Sequence, residues 1–188
     1  MLTEILLFIF NTLASLLTMV LLLRFLMQWW RIPFANPLGD LVFALTNWLV
    51  LPLRRIVRGM KGLDFSSVLA AWLIQLGYIL LVSAIMRPEM FQVAGFWGAA
   101  VILSLVGLAE AVLYLMIGIV LISAVISWIN PYAPMASIFF ALSRPLLRPL
   151  QRVLPPVGRI DLSPLVAMML LYIGLIIIRR LAAQLVML

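Results

Sequence analysis

The sequence predicts an all-α membrane protein, with four transmembrane helices in two parallel hairpin repeats and an interfacial amphipathic helix in each. Three observations lead there. The chain of 188 residues is 66% hydrophobic and only 10% charged, with a mean hydropathy of +1.26. A soluble domain carries about 25% charged residues. Apolar runs long enough to cross about 30 Å of hydrocarbon recur along the chain. Finally, a shift of 97 residues, which places Pro52 on Pro149, aligns the two halves without a gap.

Residues 5–27 form the first span. The N-terminal MLTEILLFIF lacks the basic start of a signal peptide, so the span is expected to be retained. Arg24 lies one turn inside its end and is followed by Trp29, Trp30 and Arg31. The tryptophan pair marks a membrane interface. Arg24 either snorkels outward to that interface or is a functional intramembrane charge. Pro33, Pro37 and Gly39 stop the span. Leu38, Leu41, Val42, Leu45, Trp48 and Leu49 then follow helical spacing, with Asp40 and Asn47 toward a polar side. This pattern reads as a short helix lying in the interface. Pro52 is expected to end it, and Arg54, Arg55, Arg58 and Lys61 follow.

Ser66 or Ser67 can cap the second span, residues 68–86. Arg87, Pro88 and Glu89 make a tight connection. Residues 91–128 are apolar for longer than one span needs. Either they form one long tilted helix, or 91–106 is a separate interfacial helix. The repeat favours a span over 105–128, with Glu110 near its outer end as a second candidate intramembrane polar residue. Asn130, Pro131 and Pro134 stop this span. Ile138, Phe139, Leu142 and Leu146 give the next segment an apolar side, with Arg144, Arg148 and Arg152 among its polar positions. Pro145 and Pro149 are expected to break it into pieces. Ser163 caps the fourth span, residues 165–178, and Pro164 suits its first position. Arg179 and Arg180 follow, before an apolar tail that extends the helix.

The chain has no Cys and no His. Disulfides, Cys/His zinc sites, Cys nucleophiles, His-based triads and haem ligation by His or Cys are thereby excluded within it. No two carboxylates lie close together within a span, so the expectation is a non-enzymatic protein with no cofactor and no bound metal. The net charge is +7 and the pI about 11.1. A nucleic-acid binder needs a larger soluble basic surface, so the charge is read as cytoplasmic loop charge.

The two halves, 1–97 and 98–188, share Met19/Met116, Ile32/Ile129, Pro37/Pro134, Pro52/Pro149, Arg55/Arg152, Asp64/Asp161, Ser66/Ser163 and Gly77/Gly174 in one register. Apolar identities are cheap in a membrane protein, whereas the Pro, Arg, Asp and Ser matches are not. An even number of spans per half makes the repeat parallel. The string FALSRPLLRPLQRVLPPVGRIDLSPLVA, preceded by ISWINPYAP, resembles the YggT family of small bacterial membrane proteins, called YlmG in plastids and cyanobacteria. The resemblance covers essentially the whole chain. The first half departs from the string at Arg58, opposite Pro155, and at Ser67, opposite Pro164. It implies a non-enzymatic inner-membrane protein linked to membrane-complex assembly, organisation of division or nucleoids, and osmotic stress tolerance.

Positive residues cluster between spans one and two and between spans three and four, whereas Arg87 stands alone between spans two and three. The positive-inside rule puts both basic segments in the cytoplasm and both termini outside. Arg179 and Arg180 oppose this assignment. In each half the Asp follows the matched Arg by nine residues, just before a helix start. There it compensates the helix N-terminus and is expected to clasp Arg55 or Arg152. Two such clasps would make a basic platform for anionic lipids, with other membrane proteins or a second copy as further partners. Ser104, Gly107, Ala111 and Gly118 fall on one face of span three, where small residues allow close helix approach. The competing expectation is a small oligomeric transporter or channel using Glu110, Arg24, Gln75 and Ser123.

Overall fold

The computed structural model of the chain describes residues 1–57, 64–154 and 161–186. Among these residues, six α-helices follow one another: α1 (Leu2–Trp29), α2 (Pro37–Ile56), α3 (Phe65–Met86), α4 (Phe96–Ile129), α5 (Ala136–Val153) and α6 (Ser163–Val186). A short 3-10 turn, Pro88–Gln92, joins α3 to α4. Among the described residues, four helices are long and apolar enough to cross a membrane: α1, α3, α4 and α6, with mean hydropathy between 2.1 and 2.6. This is an all-helical, multi-pass membrane protein.

Each half runs span, shorter helix, span. α1 packs along α3, and α4 packs along α6. α2 rests on α1 and α3, as α5 rests on α4 and α6. The halves meet where α4 lies against α1 and α3. Met27, Ile32 and Val42 of the first half pack with Ile119, Ile138 and Leu142 of the second in one buried cluster. Many large apolar side chains elsewhere on the spans are exposed, as suits contact with lipid. On α6, Leu165, Met169, Tyr172 and Ile176 form an exposed apolar stripe at helical spacing.

The third span resolves the alternative left open by composition. Residues 96–129 are one continuous helix, about 51 Å long at 1.5 Å per residue, so most of 91–106 belongs to span three. Gly95 starts it in a left-handed conformation, φ +88°, that suits glycine. Phe91, Phe96 and Trp97 pack against one another in tilted and edge-on contacts, with Phe91 and Phe96 centroids 4.9 Å apart. Ser104, Gly107 and Ala111 do line a face, and it is turned inward: Ser104 Oγ accepts from Trp72 Nε1 at 2.8 Å, and Gly107 lies beneath the Gln75 side chain. Gly118 faces open space.

The expected proline breaks do not occur. Pro52 lies inside α2, which continues to Ile56. Pro145 and Pro149 both lie inside α5. A proline removes one hydrogen bond and crowds the preceding turn. Here the turns after it are held by packing: Leu53 sits against the Leu21–Val50 cluster, and Leu147 is buried beside Val120 and Ala167 with Leu150 packed on them. α1 ends in a reversal. Arg31 takes φ +55°, Ile32 N–H donates to Met27 O at 2.8 Å, and Arg31 N–H to Gln28 O at 3.0 Å. This six-to-one closure satisfies the last carbonyls and sends the chain back toward α2.

Asn36 caps α2, its Oδ1 accepting from Gly39 N–H at 2.9 Å. A Cβ at Gly39 would strike the Phe34 backbone, which cannot move aside as a side chain would. Gly39→Ala should therefore destabilise the protein by about 1–3 kcal/mol. Thermal unfolding in detergent measures this, and an unchanged midpoint would mean that the Phe34 turn relaxes freely.

Candidate functional site: a buried Arg–Asp–Arg cluster and its counterpart

Arg24 does not snorkel. It is 2% exposed, on the face of α1 turned toward α2 and α3. A lone guanidinium out of water is strongly unfavourable, so its donors must be matched. Its Nε lies 3.3 Å from Asp64 Oδ2. Its NH1 donates to Thr46 Oγ1 at 2.7 Å and to Asn47 Oδ1 at 2.9 Å. Its plane sits over the Phe43 ring, 4.9 Å from the centroid. Thr46 passes its own proton to Val42 O at 2.6 Å. Asn47, read in the sequence as lying toward the polar side of this helix, points to Arg24.

Asp64 is also buried, at 2% exposure. It precedes α3 as its N-cap residue. The expected Arg55–Asp64 clasp is not formed. Arg54 takes that role, donating from Nε to Oδ1 at 3.2 Å and from NH2 to Oδ2 at 2.6 Å. One residue is about 100° around a helix, and Arg55 faces outward, exposed. The serines correct the sequence reading too. Neither caps α3. Ser67 Oγ donates to Asp64 Oδ2 at 3.0 Å, and Ser66 Oγ donates to Val57 O at 2.8 Å. Burial opposes ionisation of Asp64. The hydrogen bond and charge of Arg54, the Ser67 hydroxyl and the charge of Arg24 together outweigh burial and hold its pKa below the ordinary carboxylate value. Asp64 therefore stays ionised at neutral pH and ties α1, α2 and α3 together through three donors.

The second half repeats the positions and not the charges. Asp161 accepts from Gln151 Nε2 at 2.8 Å and from Ser163 N–H at 2.8 Å. The expected Arg152 contact is absent: Gln151 stands where Arg54 stands in the first half, and Arg152, like Arg55, faces out. Burial again opposes ionisation, and the hydrogen bonds from the Ser163 backbone N–H and Gln151 again prevail, so the Asp161 pKa is lowered. α6 begins at Ser163 itself, so Ser163 is its first residue rather than its cap, and Pro164 is its second. Ser163 Oγ is buried with no hydrogen-bond partner, whereas its counterpart Ser66 has one. Ser143, opposite Thr46, bonds Ser123 at 2.9 Å. Arg58, Lys61 and Arg159 lie outside the described residues.

Away from this cluster, Glu110 within α4 meets Arg179 on α6 at 3.3 Å, and Arg179 also donates to Tyr114 Oη. Arg179, which opposed the topology in the sequence, is thus neutralised across a helix pair. Among the described residues, no group of three or more His, Cys, Asp or Glu is placed to hold a metal ion.

The three arginine and aspartate positions should separate in a stability series. Asp64→Ala leaves Arg24 buried and unmatched, a loss of about 3–5 kcal/mol. Arg54→Gln removes a half-exposed partner, worth about 0–1 kcal/mol. Arg55→Gln should stay within about 0.5 kcal/mol of wild type. Unfolding in detergent reads all three, and equal losses for the two arginine variants would contradict the assignment of Arg54.

The CCB3/YggT family model matches the chain twice, over residues 3–85 and 102–182. The chain is 35% identical to the uncharacterized protein YggT of Escherichia coli K12, an alignment covering 88% of this chain and 85% of the relative. It is 35% identical to the uncharacterized protein PA0392 of Pseudomonas aeruginosa, covering 94% and 90%. It is 32% identical to an uncharacterized protein encoded in the proC 3′ region of Vibrio alginolyticus, covering 89% and 88%. No solved structure matches. With most of its length matched by the family model and by these relatives, the chain belongs to the CCB3/YggT family.

Proposed function

We propose that this protein is a non-enzymatic scaffold or assembly factor of the bacterial inner membrane. Its α2 and α5 end forms a basic cytoplasmic platform that holds anionic lipid headgroups and docks other membrane proteins or a second copy. A contribution to osmotic stress tolerance belongs to the same proposal. The observation that carries it is the row of exposed arginines, Arg55 on α2 and Arg148 and Arg152 on α5. Each Lys or Arg near an anionic membrane surface contributes about 1 kcal/mol. Beneath the row, the Arg24–Asp64 pair fixes α2 to the spans, so the charges ride on a braced helix and not on a loose loop.

A transporter reading would rest on Glu110 and Arg24. Glu110 is engaged by Arg179, and Arg24 is engaged by Asp64, Thr46 and Asn47. These are structural matches between helices, and they favour the scaffold.

The chain has no native cysteine, so Arg55→Cys and Arg152→Cys each give one label site. Both should react with an impermeant maleimide only from the cytoplasmic side. The triple variant Arg55→Gln, Arg148→Gln, Arg152→Gln should retain at least about tenfold less phosphatidylglycerol on purification. Labelling from the outer side, or unchanged anionic lipid, would contradict the platform.

A further inference from the structure

The second half contains a counterpart of the Arg24 site that lacks the arginine. A cavity of about 240 Å³ opens between α4, α5 and the start of α6. Its walls include Ser123, Ser127, Phe140, Arg144, Gln151 and Asp161. In the 97-residue register these stand at Leu26, Trp30, Phe43, Asn47, Arg54 and Asp64. Two bulky side chains have become serines, which opens space. The cation has gone as well: the position of Arg24 is Leu121, which is 48% exposed and points away. The aromatic face and the carboxylate that hold the guanidinium in the first half are both kept.

The cavity therefore offers an ionised carboxylate, an aromatic ring and hydroxyls for a cationic group. It also carries something the first half lacks. Arg144 lines the same cavity, yet no Arg144–Asp161 ion pair within 4.0 Å is formed. A positive and a negative group facing one space without touching match a ligand that bears both charges. By liquid volume the space is worth about eight waters, below the usual range for drug-sized ligands. Trp128, 69% exposed, flanks it at the end of α4, where an indole suits the membrane interface.

We propose that this cavity binds the headgroup of phosphatidylethanolamine. The ammonium takes the place of the Arg24 guanidinium, donating to Asp161 and to a serine hydroxyl over the Phe140 ring. The phosphate faces Arg144, whose fork suits its oxygens, while the acyl chains run down the lipid-facing side of α4. A choline headgroup fails because its quaternary nitrogen has no proton to donate. A glycerol headgroup fails because it leaves Asp161 without a cation. The inference is independent of the basic platform, which concerns anionic lipid on the outward arginines.

The test is lipid retention by native mass spectrometry, on protein purified from membranes and exchanged into equal mixtures of phosphatidylethanolamine, phosphatidylcholine and phosphatidylglycerol. The wild-type chain should keep at least about fivefold more ethanolamine lipid than choline lipid. Asp161→Asn and Arg144→Gln should each abolish that preference. So should Ser127→Trp, which returns the first half's bulk at its registered position and fills the cavity, even if Asp161→Asn fails to fold. The platform triple variant should lose phosphatidylglycerol and keep the ethanolamine preference, so the two ideas fail separately. Soluble phosphoethanolamine should not displace the lipid at equal concentration, and displacement would overturn the lipid assignment. Equal retention of ethanolamine and choline lipids by wild type, or a preference for phosphatidylglycerol lost only in Arg144→Gln, would overturn the proposal.

Discussion

Arg24 is a fixed cation on a membrane-spanning helix, and the first half is arranged around matching it away from water. Unlike a lysine or a carboxyl group, a guanidinium cannot escape by changing protonation state. It needs an anion and acceptors at set distances. Asp64 supplies the anion from the start of α3, and Thr46 and Asn47 supply acceptors from α2. Three helices are thereby specified against one another by a single side chain. Apolar packing alone would do this poorly, because lipid tails are as apolar as leucine and give little drive for one helix face over another.

That constraint explains the place of the shorter helix. α2 is held by Val50 in the apolar cluster and by Thr46 and Asn47 on the arginine. Its remaining apolar side, Leu41, Leu45 and Trp48, stays exposed. α5 presents Arg148 and Arg152 outward instead, with Arg144 at the cavity wall. The second half thus keeps the frame of the first and moves its positive charge from inside the bundle to the surface. Asp161 then meets a neutral glutamine and a backbone N–H where Asp64 meets two guanidinium groups.

Span number and helical class were legible because long apolar runs have few other uses. The importance of Asp64 was legible from its position before a span and its recurrence at Asp161. Its partner was not. Arg54 and Arg55 are adjacent in sequence, and only the rotation of α2 decides which one turns inward. The repeat favoured Arg55 because Arg152 matches it, but identity in the register followed the outward residue rather than the inward one. Arg24 could have been found from its depth in the span, yet a position one turn from a helix end fits snorkelling equally well. The prolines misled for a related reason: each breaks local hydrogen bonding, and only the burial of Leu53 and Leu147 shows why the helix continues.

The central claim is that Arg24 and Asp64 act as one unit. A double-mutant cycle tests it directly, comparing Arg24→Met, Asp64→Leu and the combined variant by unfolding in detergent. Asp64→Leu strands the buried guanidinium, whereas Arg24→Met leaves Asp64 its Arg54 and Ser67 donors and the pair of changes strands no buried charge, because Arg54 is 44% exposed and can be solvated. The account predicts a combined variant more stable than Asp64→Leu alone, with a coupling of at least about 2 kcal/mol. Losses that simply add would show that the two groups are matched independently, and the account would be wrong.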